Sequence, residues 1–314
     1  MLTYSVVIPV YRGEFTIAPL AEKLVSFFEA SHLSFEIIFV YDQGPDNSWH
    51  VLQQLTTTYS AYIKAIKLSR NFGQHNATIC GFERAEGEFI ITMDEDLQHQ
   101  PNDIALLIEE QKKDDYDVVY GKYNELKHSS FRNLTSVALK KMLEVSIPDL
   151  HPDYTAFRLI KRNVALATIR MNNSYTFLDG YISWVTTHTS SVTVQHEERI
   201  AGKSSYTLQK LINHAINIFV TFSVLPIRLV TFSSFIVFTV SVLYSIYLLV
   251  RQLVYNDLIS GYASMMISIG LGTGLILWSL GIVGEYLHRV NLKTTQKPNF
   301  VVIDELSIKK TIND

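Results

Sequence analysis

The first two hundred residues alternate between two kinds of pattern. Short apolar, β-branched runs at Ser5–Val10, Glu36–Val40, Ile63–Leu68, Phe89–Met93 and Asp117–Tyr120 read as buried strands. Between them, about Ile17–Ala30, Ser48–Tyr59, His75–Ala85 and Asn102–Lys112 carry helical spacing. Such alternation predicts an α/β fold with a mainly parallel sheet, whose strands read as near-continuous apolar runs because helices cover both faces. Ligands of these sheets gather beyond the carboxyl ends of the strands. Here those ends carry Pro9-Val10-Tyr11, Tyr41-Asp42, Ser69-Arg70-Asn71 and Asp94-Glu95-Asp96, so polar residues converge on one rim.

The pattern changes near Pro226. No charged residue occurs from Leu229 to Val250, nor from Leu258 to Gly284. Each stretch is long enough to span a hydrocarbon core of about 30 Å. Neither has the polar face expected of a helix in a soluble core, so a two-helix membrane hairpin is the expectation. Gly270, Gly272 and Gly274 in the second stretch suit close helix contact, within the hairpin or between copies in a dimer or tetramer. Arg228 precedes the hairpin and Arg289, Lys293 and Lys297 follow it, while Arg251 and Asp257 cancel in the connecting loop. The excess of basic residues outside the loop predicts that both ends lie in the cytoplasm, on an inner-membrane protein.

Ahead of the hairpin, Leu208, Leu211, Ile212, Ala215, Phe219 and Phe222 form an apolar stripe opposite Lys210, Asn213, His214 and Asn217. This amphipathic helix next to a span predicts an in-plane interfacial element. Ser130–Leu143, with Arg132, Lys140 and Lys141, reads equally as a core-facing or an interfacial helix. The expected organisation is a catalytic domain over 1–206, an interfacial helix over 207–227, a hairpin over 228–289 and a cytoplasmic C-terminal tail over 290–314.

Composition narrows the classes. The chain has 314 residues, enough for two units, and 47% of them are apolar against 18% charged. A net charge of −3 argues against nucleic acid as the principal partner. One cysteine, Cys80, leaves no internal disulfide and reads as a packing residue. The ten histidines lack ligand spacing, which argues against zinc. Val6–Val10 is too short for a signal peptide, has no basic leader and is followed by Arg12, so it reads as a strand.

The sharpest chemical signal is Asp94 and Asp96 at the end of the fourth strand. Residues two apart on a strand point the same way. Two such carboxylates make a hard, oxygen-only site suited to Mg²⁺ or Mn²⁺, which keep positions for water and phosphate. A pair of acids in a solvated turn would carry the same two letters, so the surrounding motifs decide between the readings.

Those motifs are Ser5-Val6-Val7-Ile8-Pro9-Val10-Tyr11, Asp42-Gln43-Gly44-Pro45-Asp46-Asn47-Ser48, Leu68-Ser69-Arg70-Asn71-Phe72-Gly73-Gln74 and Asp94-Glu95-Asp96-Leu97-Gln98. Together they resemble family 2 glycosyltransferases of the GT-A, Rossmann-like fold. Arg199-Ile200-Ala201-Gly202-Lys203-Ser204-Ser205-Tyr206 and Phe222-Ser223-Val224-Leu225-Pro226-Ile227-Arg228 extend the resemblance to the polyprenyl-phosphate branch. That branch includes dolichol-phosphate mannose synthases and undecaprenyl-phosphate aminoarabinose-type transferases. No Gly-x-Gly-x-x-Gly or Walker A loop points elsewhere.

The resemblance implies a nucleotide-sugar donor, with UDP preferred, and a polyprenyl phosphate, undecaprenyl phosphate in a bacterium, as acceptor. Asp96 is the expected metal ligand, with Asp94 on the metal or the donor ribose. Pro9, Tyr11, Asp42, Arg70, Gln98, Arg199, Ser204 and Tyr206 are the other expected donor contacts. Asp42 would accept an N–H of the base or serve as a turn former; Arg70 would meet base or phosphate or make a surface ion pair. Arg199, Ser204 and Tyr206 lie on a Gly202-containing loop that would close over the diphosphate, or else touch lipid headgroups. Arg132, Lys210 and Arg228 are candidates for the lipid phosphate. The family's usual Asp-Gly-Ser is Asp42-Gln43-Gly44 here, and Ala156 stands where some relatives carry an acid before Phe157-Arg158.

The implied reaction is a single displacement with inversion at the anomeric carbon. A phosphate acceptor is already ionised near neutral pH, its second pKa being about 6, so a strong base is less needed than for a hydroxyl. Asp153 and Asp179 are candidate bases, and a cap or an ion pair with Arg158 is the competing reading of each. A polysaccharide synthase would need more spans and a Gln-x-x-Arg-Trp motif, which is absent. A binding scaffold without turnover remains the non-enzyme alternative, opposed by retention of both acids.

Overall fold

In the computed structural model the described residues are 2–123, 147, 149–171, 175–194, 217, scattered positions between 232 and 254, 261–294 and 298–307. The head follows the expected alternation: β1 Tyr4–Val10, α1 Ile17–Ala30, β2 Phe35–Tyr41, α2 Ser48–Thr58, β3 Ile63–Leu68, α3 Gln74–Arg84, β4 Phe89–Thr92, α4 Asp103–Asp114 and β5 Val118–Tyr123. Beyond these come β6 Arg158–Lys161, α5 Arg162–Ile169, α6 Leu178–Val185, β7 Thr189–Val194, α7 Tyr262–Thr294 and β8 Val302–Leu306. One sheet contains all the strands, in the order β7-β5-β6-β4-β1-β2-β3-β8.

The sheet is mixed, with four of its seven pairings parallel, β5–β7 among them. Strands β4, β1, β2 and β3 run parallel at its centre, while β6 is antiparallel to both β4 and β5, and β8 to β3. Sequence alternation caught the central strands because each is a buried apolar run. It missed β6, which has only four residues and a charge at each end, β7, the polar run Thr-Ser-Ser-Val-Thr-Val, and β8, an edge strand reading Val-Ile-Asp-Glu-Leu.

Strand periodicity divides the core in two. Val6, Ile8 and Val10 with Ile37 and Phe39 meet Leu20, Leu24 and Phe28 of α1, Leu52 and Leu55 of α2, and Ile104 and Leu107 of α4. On the other face Val7, Ile38, Val40 and Ile66 meet Ala77, Ile79 and Cys80 of α3, Val164 of α5, and Leu178 and Tyr181 of α6. Each such fully buried side chain contributes roughly 1.5–3 kcal/mol. Helix α3 seats closely on β1: a Cβ on Gly81 would lie 2.2 Å from Val7 Cγ1. Burial pushes the Cys80 thiol up to about 12, consistent with packing rather than reactivity.

Buried charge at the amino ends of the strands is paired internally. Ser5 Oγ and the Glu86 N–H donate to Glu36 Oε1, each at 2.7 Å, and Lys64 Nζ lies 2.7 Å from Oε2. On the opposite rim, Asp42 is likewise engaged by backbone amides, those of Phe72 and Gly73.

The C-terminal segment returns to the head: residues 302–306, within the expected tail, form the strand that closes the β3 edge. Phe300 and Val302 pack on the second core cluster, Ser69 N–H donates to Val301 O at 2.8 Å, and Arg84 Nε lies 3.6 Å from Glu305. A catalytic domain ending at residue 206 would lack a strand of its own sheet. Helix α7 presents Met265, Ile269, Ile276, Leu280, Val283 and Leu287 as exposed apolar side chains. Among the described residues no helix is long and apolar enough to cross a membrane.

Candidate active site

The rim is built by strand register. Val10 of β1 pairs with Tyr41 of β2, and Asp42 N–H extends that pairing by donating to Val10 O at 2.8 Å. Thr92, the last residue of β4, pairs with Val7. Tyr11, Asp42, Arg70 and Asp94 therefore emerge from neighbouring strands on one side. Pro9 lies inside β1, opposite Val40, and lines the strand rather than the rim.

Asp42 is 3% exposed, and its carboxylate is already engaged. Oδ1 accepts the Phe72 N–H at 2.7 Å and Oδ2 the Gly73 N–H at 2.8 Å. Burial raises its pKa, and the two amides oppose that rise. The residue anchors the β3–α3 loop, a task nearer to the turn-forming reading than to direct contact with a base. Gln43, where the family usually has glycine, takes a left-handed φ of 52°. Arg70 is exposed, its guanidinium 4.6 Å from the Phe72 ring centroid, so it is held over the same loop.

The turn after β4 carries three acids, Asp94, Glu95 and Asp96, all half-buried. Gln74 Nε2 donates to Asp94 Oδ1, and Asp96 Oδ1 accepts the Gln98 N–H at 3.2 Å. Glu95 has its pKa raised by burial, against the N–H groups of Tyr11 and Arg12 that it accepts. Leu97 has a left-handed φ of 62° while its side chain is 5% exposed in the first core cluster. Burial of this leucine holds the backbone in a conformation that costs about 1–3 kcal/mol. Among the described residues no group of three or more His, Cys, Asp and Glu could hold a metal ion. What Asp94 and Asp96 offer is a pair of oxygen donors, a set that fits a cation taking its remaining ligands from phosphate and water.

Next to this turn lies a buried ion pair. Arg158, 3% exposed, donates through Nη1 to Asp179 Oδ1 and through Nε to Thr92 Oγ1 at 3.1 Å, two residues before Asp94. Burial raises the Asp179 pKa, opposed by the Arg158 charge. The competing reading of Asp179, an ion pair with Arg158, is the arrangement found. Asp153 takes Ser191 Oγ at 2.8 Å and Lys122 Nζ at 3.1 Å. The structure thus brings together Tyr11, Asp42, Arg70, Asp94, Asp96 and Gln98 by topology, with Asp153 and Asp179 on the β6 side. Arg132, Arg199, Ser204, Tyr206, Lys210 and Arg228 lie outside the described residues. Sequence reasoning passed over Gln74 and Glu95, although both stood inside the motifs it quoted.

A mixed Rossmann-like sheet with a loop-lined rim and two acids at a strand end defines an α/β transferase of the GT-A kind. Residues 5–164 match glycosyl transferase family 2, and the chain belongs to that family. It is 30% identical to the uncharacterized glycosyltransferase YkcC of Bacillus subtilis, covering 96% of this chain and 93% of that protein. Likewise it is 28% identical to the undecaprenyl-phosphate 4-deoxy-4-formamido-L-arabinose transferase of Proteus mirabilis, covering 98% and 94%. The fold is that of glucosyl-3-phosphoglycerate synthase from Mycobacterium tuberculosis, solved with Mn²⁺ and UDP-glucose: TM-score 0.50, 15% identity, 70% of this chain and 77% of that one.

Proposed function

We propose that this glycosyltransferase moves a single sugar from a nucleotide sugar, a UDP-sugar by preference, to undecaprenyl phosphate at the cytoplasmic face of the inner membrane, with inversion, for modification of a cell-envelope glycan. The observation that carries this reading is similarity along almost the full length to transferases named for undecaprenyl phosphate. A shared catalytic domain alone would leave the acceptor open. The uncharged stretches 229–250 and 258–284 support a membrane hairpin that keeps the head beside its lipid acceptor.

In this reading Asp94 and Asp96 hold Mg²⁺ or Mn²⁺, which neutralises charge on the departing diphosphate. Tyr11, Arg70 and Gln98 line the donor's path, and Asp42 acts by fixing the loop that carries Arg70. The acceptor phosphate attacks as an anion, which fits the engagement of Asp153 and Asp179 elsewhere and the alanine at 156. Arg132, Lys210 and Arg228 are the cations proposed for the lipid phosphate, and Arg199, Ser204 and Tyr206 for closure over the donor. The glycines of the second stretch support assembly as a dimer or tetramer; a monomeric mass in native detergent measurements would sink that part.

The test offers purified full-length protein a panel of UDP- and GDP-sugars with undecaprenyl phosphate, in Mg²⁺ or Mn²⁺ and in EDTA. A lipid-linked product that needs the cation and is lost in Asp96→Asn is expected. Absence of product across the panel, with no donor binding by calorimetry, would overturn the reading.

A further inference from the structure

The loop joining β3 to α3 is fixed at several points before it delivers Gln74. Asp42 holds the Phe72 and Gly73 amides at 2.7 and 2.8 Å. Asn76 Nδ2 donates to Phe72 O at 2.8 Å, and Thr78 Oγ1 to Gln74 O at 2.9 Å, tying the loop to the first turn of α3. Gly73 makes the bend with a φ of 89°. The helix in turn is locked on β1 by the close approach of Gly81 to Val7. The backbone of Gln74 is therefore set from both sides, and its exposed side chain ends at Asp94 Oδ1.

We propose that Gln74 is a positioning residue of the cation site. The inference rests on the reading that Asp94 and Asp96 take a divalent cation. A carboxamide is neutral and donates N–H, so it orients one carboxylate oxygen without bringing a competing charge. Asp94 then presents its other oxygen in a fixed direction, and the entropy of ordering it is met before the cation arrives. Groups that orient a metal ligand this way are typically worth 10–100-fold in metal affinity. Gln74 is exposed, which places it at the lower end, about ten-fold. The same contacts link Asp42 to Asp94 through one loop, so loosening Asp42 weakens cation binding although Asp42 touches no cation.

The experiment is an electron paramagnetic resonance titration of Mn²⁺ into detergent-solubilised full-length protein saturated with UDP, with melting temperatures measured in parallel. Gln74→Ala is expected to raise the Mn²⁺ Kd about ten-fold with an unchanged melting temperature. Gln74→Glu, which loses the N–H donor and sets a like charge against Asp94, is expected not to restore the wild-type Mn²⁺ Kd at neutral pH. An unchanged Kd in both variants, with a wild type that binds Mn²⁺, overturns the role of Gln74 alone. A wild type that binds no Mn²⁺ overturns the cation reading itself and this inference with it.

Discussion

The backbone of Gly44 lies so close to the carbonyl of Tyr11 that an ideal Cβ on Gly44 would stand 1.5 Å from that oxygen. Tyr41 Oη donates to Gly44 O at 2.6 Å on the same turn, so the ends of β1 and β2 are clasped at this point. The contact leaves no room for a side chain at position 44. Gly44→Ala is expected to cost about 3 kcal/mol, as severe overpacking does, read as a lower urea midpoint. Gln43→Gly removes a left-handed penalty of about 1–2 kcal/mol against an entropic cost of about 0.5–1, so its midpoint should hold or rise. A midpoint unmoved by Gly44→Ala would contradict the observed turn.

Breaking the Arg158–Asp179 pair should cost about 3–5 kcal/mol, because each single change strands a buried charge. Asp179→Asn is therefore expected to lose stability and transfer activity together. A variant that melts like the wild type yet transfers no sugar would instead assign Asp179 to the chemistry.

Acid sensitivity should trace in part to Asp153. Burial works to raise its pKa, but the Ser191 hydroxyl and the Lys122 ammonium outweigh it, so the folded value lies below the ordinary 3.8. For a carboxyl with a depressed folded pKa, the stabilisation is present above the unfolded value and is lost as pH falls through the folded one. Melting temperatures of wild type and Asp153→Asn should differ at pH 6 and converge as the pH falls below 3.8 through the depressed folded value. A difference that persists at low pH would rule out this titration.

Removal of residues 299–314 should harm the head rather than trim a tail. It uncovers the hydrogen-bonding edge of β3 and the apolar surface under Phe300 and Val302, a recipe for edge-to-edge association. Chains ending at 298 are expected to melt lower and aggregate in light scattering, while chains ending at 307 behave as the full protein does. Equal behaviour of the two would show that β8 is dispensable.

Much of this architecture is local and was therefore legible. Val6 to Val10, Ile37 to Tyr41 and Phe89 to Thr92 are apolar runs at strand spacing, and α1 begins and ends where its pattern does. The sequence also put Asp94 and Asp96 beside a strand end. The strand stops at Thr92, however, and both lie in the turn beyond it, where strand alternation does not set their directions. The ordered motifs named the family. Tertiary structure decided what those residues touch. Asp42 finds its amide partners thirty and thirty-one residues on and Gln74 finds Asp94 twenty residues on, while for Asp179 the structure chose the Arg158 ion pair from the readings the sequence had offered. Hydrogen bonds of that range leave no periodic trace, since only topology brings the strand ends together. The short charged strands β6 and β8 were invisible for a related reason: pairing with β4 and β3, not their own side chains, makes them strands.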